Sequence, residues 1–322
     1  MSDLVAIDLG GTHVRFALAT VAGGRAVSLD EPVTLKSGDY DGIAAAWADF
    51  ERRYGAALPK AAALSVAGQI IDDAVKLTNL PWRIERDALK LELGLDALVL
   101  VNDFEAVGHA VAQAGPGDFR HLCGPGEDLP ETAVISIVGP GTGLGVAILW
   151  RGDDGPRIVP SEGGHISFAP VDEFEDRLLD RLRQRFGRVS AERVVAGPGI
   201  SDIYEVLGGT DAGDTDPFVD RNIWARGTGG GDPLAREAVE RFCMALGSVA
   251  GDLALAQGAG AVVIAGGVGR RLANFLPGSG FGVRFVAKGR FSAAMARLPV
   301  KIVMLDEPGL VGAAAAFAQE FA

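Results

Sequence analysis

Cysteine is almost missing from this 322-residue chain: only Cys123 and Cys243 occur, far apart and without C-x-x-C spacing. That argues against a disulfide framework or a Cys-rich zinc site, and two lone thiols suit a reducing compartment. Basic clusters are missing as well. No Lys/Arg-rich run exists and the formal net charge is −12, so the chain repels phosphate backbones and nucleic acid is not expected as a partner. An anionic nucleotide would have to be held by local donors and a metal ion, because the overall field does not attract it. A membrane span is lacking too. The uncharged stretch 132–150 is long enough, but Gly139, Pro140, Gly141, Gly143 and Gly145 break it, which fits two strands around a turn. Met1 leads directly into the apolar residues 4–9, leaving no room for a signal peptide. The expectation is a soluble, cytoplasmic protein with no membrane partner.

Familiar nucleotide and hydrolase motifs are also absent. There is no G-x-x-x-x-G-K-[ST], which excludes a P-loop enzyme, and no G-x-G-x-x-G, which argues against a Rossmann dehydrogenase or protein kinase. Neither H-E-x-x-H nor G-x-S-x-G occurs.

What is present supports a well-buried α/β protein: 48% hydrophobic and 22% charged residues, with a length that suits two domains. Strands are expected at 4–9, 14–19, 61–66, 97–101, 134–138, 145–149, 261–265 and 300–305. Helices are expected at 41–54 (capped by Asp41 and stopped by Gly55), 84–93, 104–114, 172–186, 233–257 and 310–321, with a short one over Glu192 capped by Ser190. Residues 115–130 and 211–232 read as loops. The plan of strand, Gly-rich turn and strand at 4–18 returns about 130 residues later at 134–149, which suggests two related lobes.

Candidate chemistry clusters at turns. In Asp8-Leu9-Gly10-Gly11-Thr12, Gly10 and Gly11 let the backbone turn tightly and present N–H groups to an anion. Thr12 adds a hydroxyl, and Asp8 could hold Mg²⁺ through water; an ordinary hairpin is the plain alternative. Gly139-Pro140-Gly141-Thr142-Gly143 repeats that chemistry, so the two turns could grip a triphosphate. Gly266-Gly267 follows a strand and could admit a flat purine, or could simply be a strand–helix turn. Asn102-Asp103 closes a buried strand where side chains meet ligands in open α/β sheets. Asp103 could take a proton from a substrate hydroxyl there, although Asn or Asp before Phe104 also fits a helix cap. Glu162 and His165, across two glycines, suit sugar hydroxyls, and Glu192 could serve them or only a helix dipole.

Together with Thr78-Asn79, Trp82, the Ser190–Val194 segment, Gly197-Pro198-Gly199, Lys288-Gly289-Arg290-Phe291 and Pro308-Gly309-Leu310, these segments resemble, in order, the bacterial-type glucokinase family of the actin/hexokinase/heat-shock-protein ATPase superfamily. The resemblance implies a two-lobed ribonuclease-H-like (actin-like ATPase) fold with an interlobe cleft. The small domain would be 1–112 plus 302–322 and the large one 113–301. It implies that Asp103 is the catalytic base and that Asn102, Glu162, His165 and Glu192 bind sugar hydroxyls. The hairpins at Asp8, Gly10, Gly11, Thr12 and at Gly141, Thr142, Gly143 would bind ATP phosphates. Glucose and ATP are the implied partners, Mg²⁺ the implied metal, and a homodimer the implied assembly. His13, Ser161 and Ala67 depart from the family's usual Asn, Gly and Pro, and the Cys-rich zinc motif of the related repressor/open-reading-frame/kinase family is absent. The rival readings are a kinase for another hexose or amino sugar, a non-catalytic sugar sensor or transcription regulator (which would be expected to carry a helix-turn-helix ahead of Asp8, where none is read), and an actin-like or chaperone ATPase.

Overall fold

The computed structural model describes residues 2–68, 70–77, 82–208 and 217–321, without the side chains of 76 and 217–219. The Thr78-Asn79 motif lies outside the described residues. Contacts divide the chain into two units, Met1–Gly115 with Leu305–Ala322, and Pro116–Met304.

In the first unit β1 (Ser2–Leu9), β2 (His13–Ala22), β3 (Arg25–Leu29) and β4 (Val33–Lys36) precede helix α1 (Ile43–Tyr54) and β5 (Ala61–Val66). A two-stranded ribbon, β6 (Ala74–Lys76) with β7 (Arg83–Glu85), leads to α2 (Arg86–Glu92), β8 (Ala97–Asn102) and α3 (Asp103–Gln113). The main sheet runs β3-β2-β1-β5-β8, with β1, β5 and β8 parallel and β2 antiparallel. Both faces of β2 are covered, which explains its residue types. Val14 and Phe16 point into a core with Trp47 and Phe50 of α1, where the Phe16 and Phe50 rings stack 5.0 Å apart. Ala17 and Ala19 face the alanines of the C-terminal helix Pro308–Glu320. Small residues let that helix come close: a Cβ on Gly312 would lie 1.7 Å from the Ala106 carbonyl oxygen.

Small differences at other element ends aside, two helix starts depart from expectation. Helix α1 starts from Gly42 with no side-chain cap, so Asp41 does not cap it; it does end at a left-handed Gly55. Helix α2 is shorter than 84–93 because Ile84 is buried in the ribbon, paired with Val75.

The second unit repeats the plan. After β9 (Phe119–Cys123) come β10 (Ala133–Pro140), β11 (Leu144–Arg151) and β12 (Arg157–Ser161). Helices α4 (Glu173–Phe186), α5 (Ala191–Val195), α6 (Gly199–Val206), α7 (Pro217–Gly229) and α8 (Pro233–Gln257) follow, then β13 (Ala261–Ile264), α9 (Gly266–Arg271) and β14 (Val300–Val303). The sheet order β12-β11-β10-β13-β14-β9 carries the same antiparallel hairpin beside parallel strands as the first unit. The stretch 132–150 is thus a strand hairpin, and no helix among the described residues is long and apolar enough to cross a membrane.

Both expected loops contain structure. Within 115–130, β9 adds an antiparallel edge to β14 and buries Leu122. Within 211–232, α7 forms despite its glycines because Ile223 and Trp224 bury themselves against α8. There the Trp224 ring meets Phe242 edge-on at 4.9 Å.

Candidate active site

In the first unit the parallel strands bring the predicted groups to one edge. Leu9 pairs with Val66, and Val66 with Asn102. The hairpin that begins at Gly10 and the carboxylate of Asp103 therefore emerge from the same carboxyl edge, two strand spacings or about 10 Å apart. Open α/β sheets bind ligands at this edge.

The turn itself is closed by Gly10 N–H donating to the His13 carbonyl at 2.9 Å, and Ser37 N–H donates to the Thr12 carbonyl at 3.0 Å. Gly11, Thr12 and His13 are exposed, leaving the loop open to a ligand. Asp8 sits one residue before the end of β1, half-buried. Its neighbours are dictated by register: Arg15 opposite on β2 and Ser65 opposite on β5. Arg15 donates to Asp8 Oδ2 at 3.1 Å and Ser65 Oγ donates to Oδ1 at 3.4 Å. Arg15 Nε also lies 3.6 Å from Glu307. Burial pushes the Asp8 carboxyl up from its ordinary value, while Arg15 pulls it back. A Cβ on Gly309 would lie 2.8 Å from the Asp8 carboxylate, so the start of the C-terminal helix fits against Asp8 only because glycine stands there.

Asn102 is the helix cap. Its Oδ1 accepts from Phe104 N–H at 2.8 Å and Glu105 N–H at 3.3 Å, while Glu105 reaches back to the Asn102 N–H, a reciprocal capping box. Asn102 Nδ2 donates to the Gly68 carbonyl at 2.9 Å. Asp103 is the first helical residue, and its Oδ1 shares the Phe104 N–H at 2.9 Å. The choice left open by sequence resolves to Asn102 as the cap.

The second unit gathers another set. Gly141 N–H donates to the Gly143 carbonyl at 2.8 Å, closing the turn around an exposed Thr142. Glu162 and His165 flank a short turn in which Ser161 Oγ accepts from Gly163 N–H at 3.1 Å. His165 Nε2 lies 3.7 Å from Glu162 Oε2, and its Nδ1 lies 4.0 Å from Glu192 Oε1. Ser190 stands before α5 without a side-chain cap bond, so Glu192 is positioned by other contacts. Its Oε2 accepts from Leu144 N–H at 2.9 Å. Arg188 donates to the His165 carbonyl at 2.6 Å, and Ala191 N–H donates to the Ile166 carbonyl at 2.8 Å, fixing the two segments together.

Gly266 is a strand–helix turn of a demanding kind. Its φ is +76°, and a Cβ there would lie 2.6 Å from the Pro140 carbonyl oxygen, whereas Gly267 is exposed and has open space. The structure thus explains Gly266 by packing and leaves Gly267 as the accessible one.

Sequence reasoning missed Arg15, Ser65, Gly309 and the Leu144 N–H. Arg15 was within reach, since closing a hairpin at Gly10 and pairing Leu9 with Val14 sets Arg15 opposite Asp8. Gly309 stood in a recognised segment without a role. Ser65 and the Leu144 N–H follow only from tertiary pairing.

Two sheets with the same core of an antiparallel hairpin beside parallel strands, each opening with a Gly-rich turn, form the frame of the actin-like ATPase fold. The glucokinase family model matches residues 4–320. The chain is 49% identical over 319 residues to the glucokinase of Zymomonas mobilis, covering 99% of this chain and 98% of that relative. It aligns with the crystal structure of a glucokinase from an Antarctic psychrotroph at a TM-score of 0.82 and 34% identity, covering 98% of each chain. A ROK family glucokinase from Streptomyces griseus, solved in complex with glucose and AMPPNP, shares the fold at a TM-score of 0.65 and 21% identity, over 99% of this chain and 100% of that one. This chain belongs to the glucokinase family.

Proposed function

We infer that the chain transfers the γ-phosphoryl group of ATP to the 6-hydroxyl of glucose, with Asp103 as general base. The observation that carries this reading is the shared carboxyl edge of β1, β5 and β8, from which both the first hairpin and Asp103 emerge. With Asn102 serving as cap, the Asp103 carboxylate is not what starts α3. It accepts the proton of the 6-hydroxyl as that oxygen bonds to the γ-phosphorus and the bond to the ADP oxygen breaks. A base so placed typically contributes about 10²–10⁴-fold. Glu162, His165 and Glu192 supply acceptors and a donor for the sugar's hydroxyls. The exposed N–H groups of both hairpins meet the phosphates, and Gly267 offers open backbone to the purine.

Mg²⁺ enters with the nucleotide as part of the substrate. Among the described residues no cluster of three or more His, Cys, Asp or Glu could cage a metal, whereas one desolvated carboxylate, Asp8, fits an ion that keeps its waters and the phosphates as ligands. Mg²⁺ supplies charge neutralisation on the phosphoryl oxygens, and Asp8 would hold its hydration shell. A homodimer is the assembly the resemblance implies; light scattering on the eluting protein decides it.

The test is ADP release from ATP with glucose, mannose, glucosamine or no sugar. Glucose-dependent release is expected, with little release when sugar is omitted. The panel matters because Ser161, a departure from the family pattern, bonds into the turn beside Glu162. Faster turnover of another hexose would move the assignment to that sugar, and sugar-independent hydrolysis at kinase-like rates would overturn it.

A further inference from the structure

The Glu192 carboxylate has two addresses. Oε2 accepts the N–H of Leu144, the residue that leaves the second hairpin, at 2.9 Å, and Oε1 looks toward His165 Nδ1 at 4.0 Å. We propose that Glu192 is the link through which sugar occupancy sets the geometry of the phosphate-binding hairpin, and that Gly143 is the residue that permits it. This rests on the glucokinase reading of the same site.

The fit at Gly143 is tight in an informative way. A Cβ there would lie 2.5 Å from Glu192 Oε2 and 3.4 Å from its Cδ, and among the described residues it would meet no other atom as closely. The carboxylate therefore occupies the space a side chain would need. Gly143 does not lie in the left-handed region, so the backbone does not demand glycine; the carboxylate does.

The rest of the hairpin is held firmly. Gly197 N–H donates to the Gly141 carbonyl at 2.7 Å, and Gly266 abuts the Pro140 carbonyl. Gly164, beside His165, abuts the Leu144 carbonyl: a Cβ on it would lie 2.0 Å from that oxygen. Leu144 is thus met at its C=O by the Gly164 backbone and at its N–H by one side-chain carboxylate. A sugar hydroxyl donating to Glu192 fixes that carboxylate, and through Leu144 N–H it fixes the turn that meets phosphate. By linkage, nucleotide bound at the turn must favour sugar by the same factor.

The experiment is a four-corner binding cycle on the full chain. Glucose affinity is measured with and without AMPPNP and Mg²⁺, and AMPPNP affinity with and without glucose. In the unsubstituted protein each ligand should tighten the other by about fivefold or more. In Gly143→Ala the clash falls on a flexible side chain, so the protein should fold with a near-normal melting temperature while the tightening ratio falls to near one. Glu192→Asp, one methylene too short to span both contacts, should lose the ratio as well, and it stands in if Gly143→Ala fails to fold. The readout is the ratio, so a lower glucose affinity in either variant does not mimic the result. A ratio near one in the unsubstituted protein, or an unchanged ratio in a folded variant, overturns the link. Absence of glucose binding altogether would instead overturn the glucokinase reading.

Discussion

The two sheets share a plan and divide the labour. In each, a hairpin turn lies beside parallel strands, and the strand next to the hairpin runs into Ala-Gly: Ala67-Gly68 after β5 and Ala265-Gly266 after β13. The Ala67 and Ala265 N–H groups even donate to equivalent places, the carbonyls of Leu9 and Val138. The first sheet then places acids at its strand ends, Asp8 and Asp103. The second places Gly139 and Pro140 beside its turn and takes its carboxylates from outside the sheet, from the turn after β12 and from α5. The two frames share a hydrogen-bond pattern and differ in where the charged side chains sit. Backbone pairing is tolerant of side chains; a reaction needs the proton acceptor in one place only.

Changes that break one half and spare the other sharpen this comparison. The largest effect is expected where backbone meets backbone. Gly312→Ala drives a Cβ into the Ala106 carbonyl in the first unit and should cost about 3 kcal/mol of stability, read by denaturant titration. If the two units unfold in separate steps, only the step of the first should move.

The next effect separates the units by pH. His109, on α3, is held neutral by burial, its pKa lowered to about 4. The unfolded chain takes up that proton near pH 6.5, so the folded state loses stability as pH falls from about 6.5 toward about 4. At pH 4.5 the loss should reach roughly 2 kcal/mol, and His109→Gln should abolish that part of the acid sensitivity.

Smaller still is Gly309→Ala, which pushes a Cβ against the Asp8 carboxylate. It should lower kcat/KM for Mg-ATP by about tenfold, roughly 1.4 kcal/mol, with the affinity for glucose alone unchanged. The smallest concerns the second unit. Among the described residues Ser136 Oγ, buried in β10, has no hydrogen-bond partner, so Ser136→Ala should be neutral or stabilising by about 1 kcal/mol with unchanged turnover.

Much of this was legible in sequence where one physical signal dominated. Buried parallel strands announce themselves as apolar runs, and α8 spans the expected 233–257 because Asp232 caps it, Pro233 opens it and Gly258 ends it. Asp172 likewise caps α4. Signals failed where tertiary contact outweighed local propensity. Residues 217–229, inside a stretch rich in Gly and Asp, become helix through two buried side chains, and Ile84 leaves a helical pattern for a ribbon. The hairpins, Asn102-Asp103 and the Glu162-His165 pair were visible as residue types at turns. Of what they touch, only Arg15 follows from the hairpin register; Gly309 and Leu144 act through tertiary close approach.

The central claim is tested most directly by Asp103→Asn, with glucose binding and turnover measured side by side on one preparation. Glucose affinity should stay within about threefold while kcat falls by about 10²–10⁴. Turnover close to that of the unsubstituted protein would contradict the account and remove Asp103 from its role.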